Sequence, residues 1–382
     1  MLRSSILDRL LYSPATFPVS QLRRLLSAVA PPISPNPSFT VGDYLVGTCG
    51  LTPAEALKAS TKLSHLKSPT NPDAVLAFLA GLGLSSADVA AVVAKDPELL
   101  CARVEYTLAP VVTGLAGLGL SRDETARLVP LARERIRCRS IVPKLQYYLP
   151  LFGSFDNLLR ALKFNHSLLT HNLESTVKPN IAVLRECGLG DSDIGKLSVA
   201  VPRMLTSSLD RVREIVACAE GLGVPRGSLM FRHALHTASC LSQDKIAAKM
   251  DFLKKTFRWS DAEVAIVVSR APSVLTKSED VLQTKSGFLI SELGLEPASI
   301  AHRPVILNLS LEGRLKPRYY VVNFLKENRL LDRNWSYYTI FKVTEKEFVE
   351  KIIGPHKEAA PHLAEDYAAA RRGQVPTRFV FS

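Results

Sequence analysis

Along most of this chain, apolar residues recur at every third or fourth position. Val264, Val267, Val268, Ala271 and Leu275 form one such stripe, and Leu209, Val212, Val216, Ala219 and Leu222 form another. That spacing places side chains on one face of an α-helix, and no alternating strand pattern of useful length interrupts it. The stripes are punctuated by Gly-Leu stretches at Ala80–Leu84, Ala116–Leu120, Cys187–Gly190, Glu220–Val224 and Glu292–Leu295. Helix starts follow them, with capping boxes expected at Ser85/Asp88, Ser121/Glu124 and Ser260/Glu263. The first two boxes lie 36 residues apart, as do the first two glycine stretches.

A second marker keeps the same beat. Pro97, Pro202, Pro272 and Pro304 each stand three residues before a leucine, at Leu100, Leu205, Leu275 and Leu307. Versions without proline fill the gaps at Arg133–Ile136, His166–Leu169 and, more weakly, His236–Leu241. Proline removes an i→i−4 hydrogen bond, so each marker predicts a break in the helical run. The repeating unit therefore reads as a longer helix, a glycine turn, a short capped helix and a proline-leucine break. One such pair cannot bury its apolar stripe alone, whereas stacked neighbours can. The expected fold is an all-α solenoid of two-helix repeats about 32–36 residues long.

These units resemble the mitochondrial transcription termination factor (mTERF) family, whose repeat joins two helices through a P-x-x-L segment closed by a short 3₁₀ turn. The similarity is strongest over His302–Tyr320, where the break Pro304–Leu307 is followed by Ser310-Leu311-Glu312-Gly313-Arg314 and Pro317-Arg318-Tyr319. It is similar to the terminal motif of plant members, and the resemblance extends over about Phe39–Pro361. The sequence departs from the family pattern at Arg133, His166 and the slot near His236, where prolines are missing and looser or more curved units are expected. The resemblance implies a right-handed, crescent-shaped superhelix binding nucleic acid on a basic concave side. It further implies work in mitochondria or plastids on transcription, its termination or RNA maturation.

Charge sharpens this picture. The 382 residues carry 48 Lys and Arg against 36 Asp and Glu, a net charge of +12, which favours a polyanionic partner. Met1–Thr40 differs from the rest. It holds Arg3, Arg9, Arg23 and Arg24 against the single acid Asp8, with seven serines and six prolines. An Arg-rich, Ser-rich, acid-poor amphipathic start reads as an unstructured organelle transit peptide. Arginines alternating with leucines favour the mitochondrion over the chloroplast. Without that segment 44 basic and 35 acidic residues remain, so the basic excess belongs to the chain beyond the leader.

Within the repeats, the densest basic run is Arg133, Arg135, Arg137, Arg139 and Lys144. Further cations sit around or just past the breaks: Arg103, Lys178, Arg203, Arg211, Arg213, Lys277, Lys285, Arg303, Arg314, Lys316 and Arg318. A solenoid repeats its geometry, so charges at like positions line up and can neutralise successive phosphates. Arg203 and Arg303, which flank the proline itself, are the strongest individual candidates. Aromatics make up only 7% of the chain, which favours backbone tracking on double-stranded DNA over base stacking on a single strand.

Other chemistries find little support. The cysteines Cys49, Cys101, Cys138, Cys187, Cys218 and Cys240 stand singly, with no C-x-x-C. His233, His236 and Cys240 could share a helical face, but Arg232 and Lys245 stand where a fourth ligand would be needed. The glycine pairs lack the third glycine of a dinucleotide site, and no G-K-[ST], H-E-x-x-H or G-x-S-x-G occurs. No enzyme, cofactor or membrane span is expected, and a monomer is. The expected organisation is a leader over 1–40, a repeat array over 41–330 and a C-terminal capping helix and tail over 331–382. Thr344/Glu347 marks a helix start within that tail. The rival reading is a repeat adaptor whose groove takes an acidic peptide or partner.

Overall fold

A computed structural model describes residues 39–331 and 335–379, and all regular structure among them is helical. The leader expected over 1–40 lies outside the described residues except for Phe39 and Thr40. After an entry pair, Val41–Gly47 and Pro53–Lys62, the chain builds successive units of a longer helix, a shorter helix and a break. In the first unit these are Thr70–Gly81, Ser86–Lys95 and the 3₁₀ turn Pro97–Cys101. The last two full units end in 3₁₀ turns at Pro272–Thr276 and Pro304–Asn308.

The local signals act as their chemistry requires. Ser85, Ser121, Ser260 and Thr344 each accept from the backbone N–H three residues on, while the acid at that position accepts from the cap's own N–H. A further box, Thr52 with Glu55, opens the helix at Pro53. The turn glycine takes the left-handed conformation at Gly83, Gly119, Gly188, Gly223 and Gly294, which ends a helix without a Cβ penalty. Gly188 is the first glycine of its stretch, because Gly190 occupies the N-cap of the next helix.

Missing prolines have different consequences at the three slots. Arg133–Arg137 still forms a 3₁₀ turn, entered through Arg133 at φ +49°. Ser167–Thr170 forms a single α-turn. At the third slot no break forms, and Phe231–Cys240 continues as one α-helix to Leu241. That helix runs through the slot and ends at Cys240, where Leu241 turns extended.

One continuous apolar core runs the length of the described chain, from Leu45 through Leu145 and Leu253 to Phe379. Close backbone approaches fix some of the stacking. A Cβ at Gly195 would stand 2.4 Å from the Leu151 carbonyl oxygen of the preceding unit. The tail packs Phe348, Tyr367 and Phe379 onto the last repeat helices.

Candidate nucleic-acid interface

The structure sorts the basic residues into two registers. The first, which asparagine fills in two units, lies on the longer helix of six units and points inward. A 3₁₀ turn leaves carbonyls unpaired at its end, and the unit's own longer helix supplies a donor to them. Asn71 Nδ2 donates to the carbonyls of Leu100 and Ala102 at 2.7 and 3.1 Å. Lys144 Nζ donates to Leu169 at 2.6 Å, and Asn180 Nδ2 donates to Leu205 and Ser207. Lys249 reaches the carbonyl of Lys277, and Lys285 reaches those of Leu307 and Leu309, both at 2.6 Å. In the last unit Arg318 donates to Ile340 and Val343 at 2.7 and 2.8 Å and to Glu345 at 3.0 Å.

This register corrects part of the expected interface. Arg318 is fully buried with its guanidinium over the Phe348 ring, so it cannot reach a phosphate. Lys144 is engaged by a carbonyl, and burial with Arg135 nearby lowers its pKa. Lys285 is buried, and burial pushes its pKa down to about 8. Arg314 donates to the Val343 carbonyl and is also pulled down by burial. Arg137 forms a fork onto Asp96, at 2.8 and 3.0 Å, across the first two breaks. Burial raises the pKa of Asp96 in spite of that fork. These five cations hold repeats together.

The second register faces outward at the end of each shorter helix, where the break begins. It carries exposed Lys95, Arg133, Lys163, Arg203, Arg270 and Arg303. Arg203 and Arg303 follow and precede their prolines as the sequence indicates. Lys95, Lys163 and Arg270 occupy the last helical turn before the break, where a cation also favours the helix dipole. Their cue in the sequence is a cation two or three residues before the marker. The uninterrupted helix Phe231–Cys240 supplies no exposed Lys or Arg there.

Hydrogen bonds tie several of these breaks side by side. Asn165 Nδ2 donates to Pro202 O and Thr206 Oγ1, Arg270 donates to His302 O at 2.7 Å, and Ser273 donates to Asn308. Arg303 lies over the Tyr338 ring, 4.7 Å from its centroid.

The remaining candidates are scattered by local pairing. Lys178 and Lys316 each pair with the glutamate four residues earlier, and Arg211 pairs with Glu214 at 2.9 Å. Arg139 is exposed and donates weakly to Tyr106 O at 3.4 Å. Lys277 is half-buried. Exposed Arg103 lines an open cavity of about 690 Å³ between the first two breaks.

Tandem helical pairs, most of them closed by 3₁₀ breaks, define a helical-repeat solenoid. The mTERF family model matches residues 63–349, and the chain belongs to that family. Among relatives, it is 22% identical over 295 residues to the Arabidopsis thaliana "Transcription termination factor MTEF18, mitochondrial", covering 77% of this chain and 50% of that protein. It is likewise 22% identical over 266 residues to "Transcription termination factor MTERF8, chloroplastic" of the same plant, covering 68% of this chain and 51% of the relative. A third Arabidopsis protein, "Transcription termination factor MTERF15, mitochondrial", is 22% identical over 218 residues, 56% of this chain and 48% of its own length. The chain thus spans about half the length of these curated relatives.

Proposed function

We propose that this protein binds organellar nucleic acid through the phosphate backbone, along the edge formed by its breaks, and regulates gene expression by occupancy rather than by chemistry. The observation that carries this reading is the second register: Lys95, Arg133, Lys163, Arg203, Arg270 and Arg303 stand exposed at or within a few residues of the break in different units. Backbone carbonyls and ion pairs occupy the inward cations, whereas in this set only the Arg270 and Arg303 side chains have a partner among the described residues, the His302 carbonyl and the Tyr338 ring. Double-stranded DNA is the form we favour, because Tyr106 and Phe164 are the exposed large aromatics among the described residues, and stacking on single strands uses several close together. The relatives' names support a role in transcription termination, and both mitochondrial and chloroplastic destinations occur among them. The arginine-rich leader favours the mitochondrion.

Equilibrium binding to a DNA duplex across a salt series tests the proposal. Log affinity should fall linearly with log salt, with a slope of about −0.9 per phosphate contacted. The double variant Arg203→Glu/Arg303→Glu should weaken binding and flatten the slope while helicity is unchanged. Salt-insensitive binding, or none to DNA or RNA, would replace this reading with that of an adaptor for an acidic protein partner.

A further inference from the structure

The cavity between the first two breaks is built from groups that the interface does not use. Its walls include His65, Glu98, Arg103, Glu134, Arg135 and Arg137. Arg137 is occupied by Asp96 and, at 3.3 Å, by Glu98. Arg135 is not satisfied in this way. Its Nε is enclosed and has no hydrogen-bond acceptor among the described residues, since Glu134 stands 3.4 Å away without hydrogen-bond geometry. Arg103 is exposed and outside every ion pair among the described residues.

A third observation concerns the helix that begins at Val104 beside the cavity. Its N-cap, Arg103, provides no side-chain acceptor. Five equivalent helices are capped by Asn172, Ser208, Ser242, Ser278 and Ser310, while those at Thr70 and Ile141 also start without a side-chain cap. An anion held by Arg103 and by the exposed part of the Arg135 guanidinium would also stand at the open helix start.

The acids narrow the ligand. Glu98, Glu134 and Asp96 balance the three arginines, so the cavity is no sink for a bare anion. A nucleotide fits both halves: its phosphate meets guanidinium donors, and the amino group of its base meets a carboxylate acceptor. We infer that this cavity is a one-nucleotide subsite, taking a nucleoside monophosphate unit with an amino-bearing base, its phosphate on Arg103 and Arg135 and its amine on Glu98. The unit can be a free nucleotide or the 5′-phosphorylated end of a strand. Only the second source rests on the nucleic-acid reading above.

Titration calorimetry of the full chain with GMP, AMP, UMP and inorganic phosphate tests the inference. GMP and AMP should bind about tenfold or more tightly than phosphate or UMP. Arg135→Gln and, independently, the exposed Arg103→Gln should each weaken them by about tenfold. Equal affinity for GMP and inorganic phosphate, no binding of any nucleotide, or binding untouched by both variants would overturn it. Competition of GMP against an oligonucleotide with and without a 5′-phosphate separates the sources. Preference for the phosphorylated end assigns the strand, and indifference to it assigns the free nucleotide. The salt slope on blunt, unphosphorylated duplex should be the same in wild type and Arg135→Gln, so failure of the subsite and failure of the break-edge interface give different results.

Discussion

At the scale of single residues, the decisive property of a cation here is whether a carbonyl or a solvent shell surrounds it. Arg318 and Arg203 are both arginines near a proline, yet one is buried and the other exposed. Arg318→Met would strand the carbonyls of Ile340 and Val343 and leave Glu345 with Tyr367 and Arg371. A loss of about 3 kcal/mol in chemical denaturation is expected, against near-neutrality for Arg203→Met. Lys285 gives a pH signature. Its folded pKa of about 8 lies below the unfolded value near 10.4, so in that interval the unfolded chain holds more protons. Stability should therefore rise as pH increases from about 8 to about 10.4 and show no contribution from this group below that window. The neutral amine still donates to both carbonyls. Denaturation midpoints of Lys285→Met should lack that rise while being lower throughout, because both carbonyls lose their donor.

At the scale of elements, the repeat is a helix pair whose second member is stopped by a break and whose first member then caps that break. Proline supplies the stop, and a polar side chain at a fixed place on the longer helix supplies the cap. The unit ending at Arg133–Arg137 has Val111, fully buried, on its longer helix, and its break enters through a strained arginine instead. Contact between elements is equally specific. Gly195 lets its helix lie against the backbone of Leu151 and Phe152, where any side chain must displace main chain. Gly195→Ala should destabilise the protein by about 2 kcal/mol by overpacking, read as a lowered melting temperature. The same change at Gly81, where a Cβ meets nothing within 4 Å, should be tolerated.

At the scale of the whole molecule, stacking turns a sequence offset into a surface. A cation that recurs once per unit returns to the same edge wherever each unit adds to the last with similar geometry. The salt experiment belongs to this scale. Lys95, Arg203 and Arg303 sit in separate units, so their removal should reduce the slope nearly additively. Clustering in sequence has no such meaning, and Arg133–Arg139 shows why. That run splits among an exposed break residue, a cavity wall, an ion pair to Asp96 and a weak bond to Tyr106.

By itself the sequence determined the helical class, the capping boxes, the turn glycines, the proline breaks and the family, because each rests on interactions within a few residues or on their periodic recurrence. It also indicated Arg203 and Arg303, whose positions are set by an adjacent proline. The division of like-charged residues into clamps and free cations was decided by the tertiary structure. Whether Lys144, Lys285 or Arg318 meets water or a carbonyl depends on a turn more than twenty residues away. No local pattern reports that distance, because burial belongs to the packed assembly of units and not to any one of them.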